Sequence, residues 1–165
     1  MKTASYGFSI LEVLVCCLVL GIVGQWTVSS IAEQLAQQKI KAAAAQVHGL
    51  LTSASDSAYG MKKDLWLHTA SSNSQQLFAL HTDSSERNSE SLFNGAIHPQ
   101  TLAGTFISTT FSTLRFSGVT GRPYGNGNIS IGLNDEPRVK VIFHDITGRM
   151  RICAIEERAY GYPAC

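Results

Sequence analysis

One constellation in the chain stands above background. Arg149 and Arg151 sit two apart in Gly148-Arg149-Met150-Arg151-Ile152-Cys153. In a β-strand, residues i and i+2 share a face and lie ~6.6–6.8 Å apart. That pitch is close to the step between successive phosphates of a nucleic-acid strand. Two guanidiniums spaced this way can each take one phosphate in bidentate fashion. The stretch just ahead alternates in the same sense. Arg138, Lys140, Ile142 and His144 share one face, and Val139, Val141 and Phe143 share the other. Asp145-Ile146-Thr147-Gly148 reads as the connecting turn, with Gly148 free to take a positive φ. Lys140 and Arg122 extend the basic patch. Charge by region supports it modestly: Arg115 to Cys165 holds seven basic and five acidic residues, whereas residues 29 to 114 hold five and six. Asp145, Glu156 and Glu157 can quench such a patch. On these residues alone, a solvated strand edge is the commoner outcome.

Little else points to chemistry. His48, His68, His81, His98 and His144 are scattered without metal-ligand spacing, and no C-x-x-C pair occurs, so neither a metal nor a cofactor is expected. Gly125 and Gly127 lack the third glycine and the strand–helix context of a dinucleotide loop. There is no G-x-S-x-G and no phosphate-binding loop. The chain reads as a non-enzyme.

The elements that would position the arginines follow from length and patterning. The chain has 165 residues, 44% hydrophobic and 15% charged, with a formal net charge of +1. This argues for one domain, two at most. It excludes a disordered tail as the main content and a globally basic nucleic-acid binder. Four cysteines are too few for a disulfide-dense scaffold. A mean hydropathy of +0.05 excludes a polytopic membrane protein but allows one span.

Apolar residues concentrate in Phe8 to Trp26, which carries one charge, Glu12. Nineteen residues at ~1.5 Å each give ~28 Å, about one hydrocarbon core. The helical pattern continues through Ile31, Leu35, Ile40, Val47 and Leu50, and no proline precedes Pro99. One helix is therefore expected from about Phe8 to about Tyr59, its first half, about 8–28, in the membrane. Beyond it, polar loops are expected at Thr69–Gln76, Thr82–Ser91 and Thr120–Asn128. Strands are expected at Leu65–His68, Leu77–His81, Thr105–Ser117 (one or two), Asn128–Leu133, Arg138–His144 and Arg149–Ile155. Helix first and antiparallel strands after is an α+β pattern.

Gly7-Phe8-Ser9-Ile10-Leu11-Glu12-Val13 resembles the processing motif of type IV prepilins and of the pseudopilins of type II secretion. The resemblance implies a leader of residues 1–7 removed by a prepilin peptidase between Gly7 and Phe8, N-methylation of Phe8 and retention of the span. It implies the type IV pilin fold, with the long helix of residues 8–59 packed on a β-rich domain of residues 60–165. Glu12 is then an assembly residue that neutralises the new amine of a neighbouring subunit, since a pair of opposite charges in an apolar bundle costs far less than either alone. One departure is the missing proline late in the span, where Gly21 and Gly24 offer flexibility instead.

Gly148-Arg149-Met150-Arg151 is also similar to the G-R-x-R motif of the FimT-type minor pilins, relatives of the H-type pseudopilins. In that subgroup the motif marks a DNA-binding site used in natural transformation. Gly148, Arg149 and Arg151 match it, and Arg122 and Lys140 are an extension beyond the motif. The implied location is the inner membrane of a Gram-negative bacterium, single-pass with a periplasmic domain, then a pilus or pseudopilus. Implied partners are other major and minor pilins, the prepilin peptidase, the inner membrane and double-stranded DNA. In a periplasmic domain Cys153 and Cys165 pair, closing a loop of about a dozen residues worth ~3 kcal/mol; a free or intermolecular thiol is the alternative. The competing reading is a purely structural filament-priming minor pilin or H-type pseudopilin of a type II secretion system, with protein partners only.

Overall fold

Ile40, Ala43, Ala44, Val47, Leu51, Ala54 and Ala58 recur three or four residues apart, so they line one stripe of a helix. In the computed structural model, which describes residues 9–72, 75–156 and 159–165 and not the side chains of 23–30, all seven are buried. They belong to helix α1 (Ile10–Met61). The chain divides into two compact units, Met1–Gln37 and Gln38–Cys165.

In the first unit, Glu12 lies in the opening turn of α1, where a carboxylate faces the positive end of the helix dipole. Ile10, Leu11, Leu14, Leu18 and Leu20 are exposed in the single chain, as are the free thiols of Cys16 and Cys17. Among the described residues, no helix is long and apolar enough to cross a membrane. The span expected at about 8–28 includes Phe8 and side chains that lie outside the described residues. The processing pair Gly7 and Phe8 also lies outside them.

In the second unit, α1 runs two residues past the expected Tyr59. It ends where Lys62 takes a left-handed φ of 56° and the Lys63 N–H reaches back to the Ala58 carbonyl at 3.3 Å. Eight strands follow: β1 (Leu65–Ser72), β2 (Gln75–His81), β3 (His98–Leu102), β4 (Phe106–Thr109), β5 (Thr113–Phe116), β6 (Gly127–Leu133), β7 (Glu136–Phe143) and β8 (Met150–Ala154). They form two antiparallel sheets, ordered β3-β2-β1-β5 and β4-β6-β7-β8. The helix stripe closes one core with Leu65, Leu67, Phe78, Leu80, Leu114 and Phe116 of the first sheet and Ile129, Ile131, Val139, Val141 and Phe143 of the second. The expected architecture is therefore present: a long N-terminal helix whose later turns pack on antiparallel strands.

One expectation needs correction, and the structure adds to the rest. Thr69–Gln76 was expected as a loop, yet Thr69–Ser72 prolongs β1 and Gln75–Gln76 opens β2, paired Ser71↔Gln76 and Ser72↔Gln75. Cross-strand hydrogen bonds come from the backbone, so polar side chains on a half-exposed hairpin end do not prevent pairing. Strand β3 was not foreseen, because Pro99 interrupts it. It is an edge strand, where a missing N–H is tolerated. Thr105–Ser117 forms two strands that belong to different sheets.

Candidate nucleic-acid interface

The β7–β8 connection is built on Gly148. Its φ is 64°, a conformation that costs an L-residue ~1–2 kcal/mol. The Gly148 N–H donates to the His144 carbonyl at 2.9 Å, and the His144 N–H donates to the Arg149 carbonyl at 3.1 Å. A side chain at Gly148 would also meet Arg122, since its Cβ would stand 3.0 Å from the Arg122 Cγ. Glycine thus serves both the turn and the close approach of a neighbouring loop.

That loop, between β5 and β6, holds the turn at two points. Arg122 lays its stem along Gly148 and donates from Nη1 to the Ile146 carbonyl at 2.9 Å. The Asp145 N–H donates to Asn126 Oδ1 at 3.0 Å. Tyr124, between the two contacts, is stacked on the Arg115 guanidinium with 4.3 Å from Cζ to the ring centroid. The loop is itself tied to β5, because the Tyr124 N–H reaches the Arg115 carbonyl at 2.8 Å.

Arg149 and Arg151 are exposed. With Asn126, His144, Ile146 and Thr147 they line a cleft of about 370 Å³. Among the described residues, neither arginine has a carboxylate within ion-pair distance, and nor do Arg122 or Lys140. Of the acids that could quench the patch, Glu156 pairs with Arg138 at 3.3 Å, as does Glu136 at 2.7 Å. Asp145 stands in the β7–β8 turn itself, outside ion-pair distance of either arginine. Glu157 lies outside the described residues. The alternation expected for β7 is present, with Val139, Val141 and Phe143 buried. Arg149 falls in the turn just before β8, so only Arg151 sits on the strand proper. Arg151 pairs with Ile142, and Lys140 pairs with Cys153. Paired residues share a sheet face, so Lys140 is a diagonal neighbour of Arg151 on the outer side.

Cys153 and Cys165 form a disulfide, with their Cα atoms 4.9 Å apart. Cys153 lies on the outer face, two residues from Arg151, and is buried by the returning tail. The Ala154 N–H donates to the Pro163 carbonyl at 2.8 Å, and the Cys165 N–H donates to the Ala154 carbonyl at 2.9 Å. The tail therefore caps the edge of β8 directly beyond the arginines.

Gly148, Arg149, Arg151 and Arg122 thus meet at one turn, with Lys140 further along the same face. Arg122 takes a different place from the motif arginines: its guanidinium is engaged by a backbone carbonyl. Asn126 and Ile146 were not singled out from sequence. Their only signal was position in a glycine-rich loop and in a turn, and turns are rich in Asn for many reasons. The histidines, scattered in sequence, include one pair that the sheet brings together. His68 and His81 are buried on the outer face of the first sheet with ring centroids 5.4 Å apart. His81 Nε2 contacts the Leu92 carbonyl at 2.8 Å, and His68 Nε2 contacts the Asp83 carbonyl at 3.2 Å. Burial holds His81 below its ordinary pKa. Among the described residues, no group of three or more His, Cys, Asp or Glu could hold a metal ion.

Comparison with known proteins places the architecture. No protein-family model matches the chain, and no curated protein matches its sequence. Two crystal structures of the type IV minor pilin FimU of Pseudomonas aeruginosa superpose on it, each with a TM-score of 0.55. One is 13% identical over 70% of this chain and 88% of FimU, the other 12% identical over 68% and 90%. At that identity the likeness is one of fold, and the chain has the type IV pilin fold.

Proposed function

We propose that this protein is a minor pilin of a type IV pilus that binds DNA through the β7–β8 turn, without base specificity, during natural transformation. In this reading it is cleaved after Gly7, anchored in the inner membrane by the first part of α1, and incorporated at or near the pilus tip with other major and minor pilins. Glu12 serves assembly. The observation that supports DNA binding is the exposed pair Arg149 and Arg151, without a carboxylate partner among the described residues, on a turn held by Gly148 and Arg122. Guanidiniums not committed to internal carboxylates are available to phosphate, and binding of this kind weakens steeply with salt. A salt-titrated gel shift with double-stranded DNA tests it. Arg149→Ala with Arg151→Ala abolishes the shift; an unchanged shift refutes DNA binding by this turn.

The second reading is a purely structural filament-priming minor pilin or H-type pseudopilin, with protein partners only. On that reading Glu12→Val abolishes assembly, while the double arginine substitution has no consequence for DNA uptake.

A further inference from the structure

Ile146 is 83% exposed, the most exposed large apolar side chain among the described residues of the second unit. Turn positions favour Asp, Asn, Ser and Gly, so nothing in the turn itself calls for isoleucine. The tip is nevertheless held firmly. The Ile146 carbonyl takes the Arg122 guanidinium at 2.9 Å, and the preceding N–H, of Asp145, is bound by Asn126 at 3.0 Å. An apolar side chain is therefore presented to solvent on a braced support, beside the two arginines.

The cleft it borders fits a particular ligand. A volume of about 370 Å³ lies near the lower end of small-ligand sites, ~300–1,000 Å³. It can take one unstacked nucleobase but not a duplex. Ile146 offers an apolar surface and His144 an aromatic ring for the faces of a base. Asn126 spends its carbonyl oxygen on Asp145, which leaves its amide N–H groups for acceptors on a base edge. Arg149 and Arg151 line the same cleft and are exposed to take the flanking phosphates. Apolar wedges and stacked bases are how proteins gain from unpaired nucleotides beyond the charge of the backbone.

We propose that this cleft holds a single unstacked base of single-stranded DNA, with Ile146 as the wedge, so that single strands and frayed ends bind more tightly than continuous duplex. The site rests on the phosphate reading of Arg149 and Arg151. The test uses the full chain in detergent and fluorescence anisotropy with three labelled probes: a single strand of mixed sequence, the same strand with abasic positions, and a duplex closed at both ends by non-nucleotide linkers. One stacked base contributes enough for the intact strand to bind roughly tenfold more tightly than the abasic strand or the closed duplex. Ile146→Ala removes that preference and leaves closed-duplex affinity and its salt dependence unchanged. Ile146→Trp, with a larger stacking face, raises single-strand affinity a few-fold. Ile146 is exposed, so neither change disturbs the fold. Equal binding of intact and abasic strands by the unsubstituted protein, with binding still lost in Arg149→Ala plus Arg151→Ala, overturns the base site and leaves the phosphate reading standing. Unchanged binding in that double variant overturns both.

Discussion

Two arginine environments in the second unit differ in what surrounds the guanidinium. Arg115, on β5, donates from Nε and Nη2 to Asp64, whose other oxygen accepts the Gly118 N–H at 2.8 Å. Tyr124 covers it from the side. Its charge is neutralised and its donors are used to join the start of β1 to the end of β5. Arg149 and Arg151 sit on a turn and a strand with no carboxylate in ion-pair range among the described residues. The two environments are linked through the loop of Arg122, Tyr124 and Asn126, which stacks on Arg115 at one point and holds the β7–β8 turn at two others. One residue type is thus structural where an acceptor is built beside it, Asp64 for Arg115 and the Ile146 carbonyl for Arg122, and available where none is. Net charge, +1 over the chain, conveys neither role.

Five experiments probe that contrast. The largest effect is expected for Arg149→Ala with Arg151→Ala. Two phosphate contacts contribute a salt slope of ~1.8, which gives a loss of roughly two-hundredfold in duplex affinity at ~0.05 M salt relative to 1 M. Anisotropy across a salt series should show the slope fall by that amount while Tm stays unchanged. A matching drop in Tm would make these arginines structural, like Arg115. Next is Cys153→Ser with Cys165→Ser. Releasing the tail costs ~3 kcal/mol of stability, read as a lower urea midpoint, with a smaller effect on DNA because Arg151 keeps its pairing to β7.

Gly148→Ala comes third. The positive φ costs ~1–2 kcal/mol, and the new Cβ displaces Arg122, so stability and DNA affinity should both fall. A loss of stability with intact binding would show that the brace is dispensable. The smallest effect is expected for Arg115→Ala, a fall of a few degrees in Tm with DNA binding unchanged. Its partner supplies a pH signature. The Gly118 N–H, then Arg115, hold the Asp64 carboxyl below its ordinary value of 3.8. The folded state therefore binds this proton less readily than the unfolded chain. The stabilisation is fully present above pH ~3.8 and is lost as pH falls through the lower folded value. Asp64→Asn should remove that part of the acid limb in urea midpoints measured against pH.

Much of the architecture was legible because it rests on periodicity. The stripe from Ile40 to Ala58 and the alternation Val139, Val141, Phe143 each name a buried face without reference to the rest of the chain. The polar hairpin end at Thr69–Gln76 was not legible, since backbone pairing there leaves no apolar trace. Nor was β3, where Pro99 argues against a strand until its position at a sheet edge is known. The arginine pair was legible as a motif; its strand pitch was not, because Arg149 falls in the turn before β8 and only Arg151 lies on the strand. The different place of Arg122 was not, because its hydrogen bond crosses to a residue 24 positions away.

By itself, the sequence determined the order of one long helix and then antiparallel strands, the inward faces of both, and the turn glycine before Arg149. These are local properties of side-chain type and repeat. Only the tertiary structure decided which arginines are neutralised, which loop braces the turn, and that Ile146 is left facing water beside a cleft. Those outcomes depend on which distant residues the two sheets bring within a few ångströms. A carboxylate acts on a guanidinium through distance in space, not separation along the chain.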